Sequence, residues 1–213
     1  MNLNNDLLKF NTWMLMKKSI DDNSSNFPID LKKRLEENEV REKIEKFEKH
    51  LSYFDDDPNY FLVLASLKLK IEDIQGALHY MNEACKLFPK QEFIYEMRAK
   101  ILYKMKDYNG ALTNLNQAIV INPQSESYYY RRGKVLFCLK IYSKANEDFS
   151  KAIEMNSSID TYFFNRALAR GILHDYKSAI ADLEKVLELN PNHTKAKDII
   201  TNLNKFLSKK NLG

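Results

Sequence analysis

The chain has 213 residues, 44% of them apolar and 29% charged, with a formal net charge of +4. That length suits one or two domains with a sizeable core, and the balance is ordinary for a water-exposed globular protein. Five glycines and five prolines are too few for an all-β fold built on tight turns, so long helices with short connections are expected.

Residues 1–57 are expected to form an N-terminal helical extension or arm. "MNLNNDLLKFNTWMLMKKSI" has no basic stretch ahead of its apolar part and no small-residue cleavage site after it. It does not read as a secretory signal. No run of about 20 apolar residues follows, so membrane insertion is not expected. Leu7, Leu8, Phe10, Trp13 and Met14 are apolar enough to be docking candidates. Asp21 to Pro28, "DDNSSNFP", reads as a linker. One or two charged helices follow, with an apolar stripe of Leu35, Ile44, Phe47 and Leu51. Two readings stay open for this part: a cap on the rest of the chain, or a detachable docking arm. Residues 1–57 carry 10 basic and 13 acidic side chains, net −3, and the remainder is net +7. Exposed ion pairs contribute only about 0.2–1 kcal/mol each, so this contrast does not choose between them.

"DDDPN", Asp55 to Asn59, imitates the start of a calcium loop. Such a loop needs glycine where Tyr60 stands and a bidentate glutamate where Ser66 stands. Asp57 reads better as a helix cap, with Pro58 at the first helical position.

From Pro58 onward the chain repeats itself every 34 residues. Ala77, Ala111, Ala145 and Ala179 share one column. Ala84, Ala118, Ala152 and Val186 share another, and Ala65, Ala99, Gly133 and Ala167 a third. Phe61, Tyr95, Tyr129 and Phe163 align, as do Ile74, Tyr108, Tyr142 and Tyr176. Pro89, Pro123, Ser157 and Pro191 mark the joins. Each unit holds two helical segments of about 13 residues, in the second unit roughly Glu92 to Met105 and Tyr108 to Ile121. Small-residue columns mark close helix crossings and aromatic columns fill the space beside them. Arginine recurs at Arg98, Arg132 and Arg166, which points to a repeated inter-helix role.

These columns resemble the tetratricopeptide repeat (TPR) family. The third unit carries Tyr129, Gly133, Tyr142, Ala145, Phe149 and Ala152 of the pattern, and "YKMKDYNGALTNLNQAIVINP" and "ILHDYKSAIADLEKVLELNP" match it closely. The departures are Ser157 for proline, Val186 for the second alanine, and Lys68 and Arg170 where Leu102 and Leu136 are apolar. The resemblance implies an all-α, right-handed α-solenoid with four repeats over residues 58–191, at about 58–91, 92–125, 126–159 and 160–193. Residues 194–213 are expected to supply a capping helix and tail. Ile199, Ile200, Leu203, Phe206 and Leu207 form its apolar stripe, and Thr194 its N-cap.

No catalytic constellation is present. His50, His79, His174 and His193 show no metal-ligand spacing, and there is no glycine-rich phosphate loop. Neither enzymatic activity, a cofactor nor a metal is expected. Cys85 and Cys138 form no CxxC pair, which suits a cytoplasmic or other reducing intracellular compartment.

Family resemblance points to partner segments held in a concave groove lined by the first helices. In the third unit, with Tyr129, Gly133 and Leu136 turned inward, Tyr130, Arg131, Lys134 and Phe137 fall on the groove side. Met97, Lys100 and Tyr103 precede them, with Glu96 beside them, and Phe164 and Asn165 follow. This basic-aromatic surface suits an acidic or amphipathic helical segment, or an extended peptide. The leading reading is a non-enzymatic scaffold or adaptor in a larger assembly. An alternative is a co-chaperone that binds heat-shock chaperone tails through a carboxylate clamp. Asn165 and Lys195 match that clamp, whereas Tyr130, Lys134 and Ile199 depart from it. A third reading, an RNA-binding helical repeat, conflicts with the modest net charge.

Overall fold

The computed structural model describes residues 29–53 and 56–210. Among the described residues there are ten α-helices, one 3-10 turn and no strand. Helix α1 spans Ile29–His50 and runs into the turn Leu51–Tyr53. Four helix hairpins follow: α2 (Pro58–Lys70) with α3 (Ile74–Leu87), α4 (Glu92–Lys104) with α5 (Tyr108–Ile121), α6 (Glu126–Cys138) with α7 (Tyr142–Met155), and α8 (Asp160–Ile172) with α9 (Tyr176–Leu189). Helix α10, Thr194–Lys210, closes the array. The hairpins stack in chain order, each on its neighbours, as an α-solenoid. Leu7, Leu8, Phe10, Trp13, Met14 and the Asp21–Pro28 stretch lie outside the described residues.

Local signals set the helix ends. Asp57 caps α2, its carboxylate accepting the Asn59 amide at 2.8 Å, with Pro58 at the first position. Asp73, Asp107 and Asp175 cap α3, α5 and α9 through the amides of Gly76, Gly110 and Ser178. Each first helix ends in a left-handed residue that is not glycine: Glu72, Lys106, Lys140 and His174, with φ of 60°, 63°, 62° and 65°. The amide after each one returns to the carbonyl five residues back at 2.9 Å. This closure satisfies carbonyls the helix would otherwise leave open.

The aligned small residues are the crossings. Ala77, Ala111, Ala145 and Ala179 are buried, as are Ala84, Ala118, Ala152 and Val186. Gly133 belongs to the column of Ala65, Ala99 and Ala167 for a measurable reason. A Cβ at Gly133 would lie 2.7 Å from the Phe149 ring. The residues equivalent to Phe149 are Met81, Leu115 and Leu183, so the smallest residue faces the aromatic one.

Two of the recurrent arginines, Arg132 and Arg166, join three helices each. Arg132 on α6 makes a bidentate pair with Asp148 on α7, at 2.8 and 2.7 Å, and reaches Asn116 on α5 at 3.0 Å. Arg166 repeats this with Asp182 at 3.0 and 2.7 Å and Ser150 at 3.1 Å. In the second hairpin the acceptor column holds Asn114, whose amide donates instead to the Gly110 carbonyl. Arg98 Nε is then buried without an acceptor among the described residues. In the first hairpin both columns change together, to Leu64 and Tyr80. The two departures from the apolar column are also paired: Arg170 with Asp182, and Lys68 with Glu48 and Asp73.

Both ends are covered. Helix α1 is a single helix, with Ile44 in the core of the first hairpin and Phe47 and Leu51 packed against it. Tyr60 donates to the Phe47 carbonyl at 2.8 Å, and Tyr80 to Glu48 at 2.7 Å. At the other end Ala196 is buried, and Ile199, Ile200 and Leu203 pack on the last hairpin. Two expectations are corrected there. Phe206 is 48% exposed and lies edge-on to Tyr176, because the helix has by then run past the hairpin core. Thr194 is the first helical residue and His193 caps instead, its Nδ1 accepting the Ala196 amide at 3.2 Å.

Gly133→Ala forces a methyl into Phe149 and should lower stability by about 1–3 kcal/mol. Gly171→Ala, whose Cβ would meet nothing within 4 Å, should gain up to about 1 kcal/mol from helix propensity. Thermal unfolding of the two variants checks the register. Arg132→Leu leaves Asp148 buried without its cation and should cost about 3–5 kcal/mol. Adding Asp148→Leu should recover most of that loss, as Leu64 and Tyr80 already illustrate. Asn114→Asp should stabilise the chain by giving Arg98 its acceptor.

A further outcome concerns pH. Burial alone would raise the Glu48 carboxyl, but hydrogen bonds from Tyr80 and Lys68 outweigh it and lower its pKa below the ordinary 4.5. The stabilisation is therefore complete above that ordinary value and is lost as pH falls through the lower folded one. The gap in unfolding temperature between the native chain and Glu48→Gln should close over that acidic window.

Candidate functional site

A cleft of about 230 Å³ opens between α4 and α6. Ala99, Leu115 and Val135 form its floor, and each is only 2% exposed. Lys100, Tyr103, Arg131 and Lys134 form its rim. The floor is apolar because these three residues belong to one buried core cluster, with Ala99 at a helix crossing. The rim is charged because Lys100 and Lys134 stand at equivalent positions, one residue past Ala99 and Gly133.

Neighbouring side chains fix the rim. Lys134 Nζ lies 5.4 Å from the Tyr103 ring centre and 5.8 Å from that of Tyr130, within the range of cation–π attraction. The Tyr103 hydroxyl and Cys138 Sγ share a hydrogen bond at 3.4 Å, and the ring stands edge-on to Tyr108. That bond, together with burial, pushes the Tyr103 phenol well above its usual range. It stays neutral at any physiological pH. Arg131 is not the free cation that the spacing suggests: its Nε pairs with Glu96 Oε1 at 2.7 Å. Among the described residues, neither Lys100 nor Lys134 has a carboxylate within ion-pair distance.

The other candidate residues are spread across the structure. Tyr130 lies against Tyr162 and Phe149, with ring centres 4.6 and 5.9 Å away, and its hydroxyl accepts from Asn165 at 3.2 Å. The same Asn165 amide donates to the Thr161 carbonyl at 2.8 Å. Met97 packs against the first hairpin's core. Phe137 turns edge-on to Tyr142 beside Leu136. Phe164 stacks on His193 at 4.7 Å. These side chains are engaged within or between hairpins and do not line the cleft.

Tyr128 and Tyr162 are buried, and neither stands out in the aromatic run. Their signal was the column Tyr60, Ile94, Tyr128 and Tyr162. Burial, with Glu92 and Glu96 nearby, pushes the Tyr128 phenol up to about 12. Tyr129 is half-buried, donates to the Pro123 carbonyl at 3.3 Å, and lies under the Arg132 guanidinium. Among the described residues no group of three or more His, Cys, Asp or Glu is placed to hold a metal ion.

Helix hairpins stacked at a fixed interval, with small residues at the crossings, define a helical repeat protein. The family model "TPR repeat" matches residues 99–139 and the model "Tetratricopeptide repeat" matches residues 161–193. The chain carries tetratricopeptide repeats over those segments. No curated protein sequence matches it. Among solved structures it is similar to the crystal structure of MamA, with TM-score 0.68 and 20% identity over 79% of this chain and 98% of that one. It is also similar to YrrB, described as a TPR protein with an unusual peptide-binding site, with TM-score 0.66 and 18% identity over 85% and 95%. A third is the first TPR of Spaghetti (RPAP3) bound to the HSP90 peptide SRMEEVD, with TM-score 0.54 and 24% identity over 56% and 94%.

Proposed function

We propose that the chain is a non-enzymatic scaffold that holds a segment of a partner protein on the face formed by α2, α4, α6 and α8. Residues 58–191 act as the interaction array, with α1 and α10 covering its ends. The observation that carries this is the cleft between α4 and α6, an apolar floor rimmed by a tyrosine and two lysines that have no carboxylate partner among the described residues. Apolar anchors surrounded by a polar rim are the usual anatomy of a protein-binding hot spot. Peptide binding by YrrB and by the first TPR of Spaghetti supports the same reading.

Binding of chaperone tails by a carboxylate clamp is less well supported. Asn165 is committed to Tyr130 and Thr161, and Ile199, where the clamp needs a cation, packs into the last hairpin.

The test begins with partner capture from the native extract. Lys100→Glu with Lys134→Glu should weaken capture at least tenfold, about 1.4 kcal/mol, without moving the unfolding temperature. Undiminished capture would remove the first-helix face as the site. Loss of capture only in a chain starting at Ile29 would move the site to the segment around Trp13.

A further inference from the structure

We infer that the α4–α6 cleft is an anchor site for one aliphatic side chain with a carboxylate beside it, and that Glu96 is its built-in competitor. This rests on the protein-binding reading above and names the chemistry of the segment bound.

Size sets the first limit. Drug-sized ligands need pockets of roughly 300 Å³ or more, whereas an apolar cavity of about 150 Å³ already admits benzene. A cleft of about 230 Å³ therefore suits a single side chain with part of its backbone. Its floor is made of Ala99, Leu115 and Val135, with no polar side chain to satisfy. An aliphatic side chain fits that surface without leaving a donor or acceptor unpaired.

Charge sets the second limit. Three cations stand at the rim, and among the described residues the carboxylate paired with them is Glu96, on Arg131. Lys134 is held over two tyrosine rings, so its position is set before any ligand arrives. Preorganisation of this kind reduces what binding must spend on ordering side chains. The complement is an anionic group next to the anchor, which makes the occupant an acidic segment of a partner protein.

Glu96 adds a selection step. Its carboxylate holds Arg131 at 2.7 Å, and the Arg131 side chain is 43% exposed. A ligand carboxylate must share Arg131 with Glu96 or use Lys134 and Lys100 instead. An isolated anion without an apolar neighbour gains nothing from the floor and still meets this competition. A side chain that fills the floor brings its carboxylate to the rim at high effective concentration.

The probe is the peptide Gly-Ser-Leu-Glu-Glu-Ser-Gly, titrated into the full chain and followed by amide NMR shifts. Saturable shifts should centre on residues 99–103, 115 and 131–135. Replacing the two glutamates by glutamine, or the leucine by alanine, should weaken binding about tenfold, equivalent to 1.4 kcal/mol. Lys134→Glu should weaken it similarly. Glu96→Gln should tighten it roughly threefold, since exposed pairs contribute little. Absence of saturation, shifts centred elsewhere, or weaker binding by Glu96→Gln would overturn the inference. The same residues shifting with protein concentration alone would assign the cleft to a second copy and also overturn it. If the peptide fails while Lys100→Glu with Lys134→Glu still abolishes native capture, only the anchor chemistry falls.

Discussion

A guanidinium crossing three helices is the contact on which the stacking of this chain turns. An amphipathic hairpin can bury its apolar stripe against a neighbour in several neighbouring registers. Arg132 accepts only one, because its fork must meet Asp148 on the partner helix while Nη1 reaches Asn116 on the preceding hairpin. Arg166 imposes the same condition one hairpin later. The net stabilisation from such a buried pair is small, since desolvating both charges opposes their attraction. Its effect is on what happens when the register is wrong: an unpaired charge is then left inside. The first hairpin shows the alternative, with Leu64 and Tyr80 in the two columns and the buried Tyr80 donating its hydroxyl to Glu48 of α1.

The small-residue columns act with these arginines. Ala111 and Ala145 are fully buried on α5 and α7, the two second helices that Arg132 joins. Gly133 and Phe149 show that the columns compensate each other in volume, with a missing methyl on one helix matched by a ring on the next. The same close packing produces the cleft. Where Ala99 meets α6, the side chains are short on the crossing and long on the rim, so the surface dips to Leu115 and Val135 between Lys100 and Lys134. Scaffold and candidate site are thus consequences of one 34-residue pattern.

Much of this was legible in the sequence because the pattern repeats. Helix bounds, crossings and the structural arginines all lie in columns, and the periodicity reports them directly. What was missed depends on partners that periodicity does not encode. The left-handed turn residues Glu72, Lys106, Lys140 and His174 carry no glycine signal, because the closing hydrogen bonds tolerate side chains there. Arg131 reads as a free cation until Glu96, on another helix, is placed against it. Tyr130 reads as a groove residue until Tyr162 is brought to within 4.6 Å. His193 displaces Thr194 as the cap because an imidazole nitrogen can reach the Ala196 amide. The cleft itself was half visible: Lys100, Tyr103, Arg131 and Lys134 shared a helix face, but the depth beneath them depends on how α4 and α6 cross.

The three-helix contact is complete at Arg132 and Arg166 and incomplete at Arg98, whose Nε is buried without an acceptor among the described residues. A buried donor left unpaired costs about 1–3 kcal/mol, and in a solenoid such a cost falls on the local interface. Amide hydrogen exchange resolved along the chain measures this directly. Helices α6 to α9 should form the most protected block, with protection stepping down across α4 and α3. A profile without that step, or with its weakest interface between α6 and α9, would contradict the account.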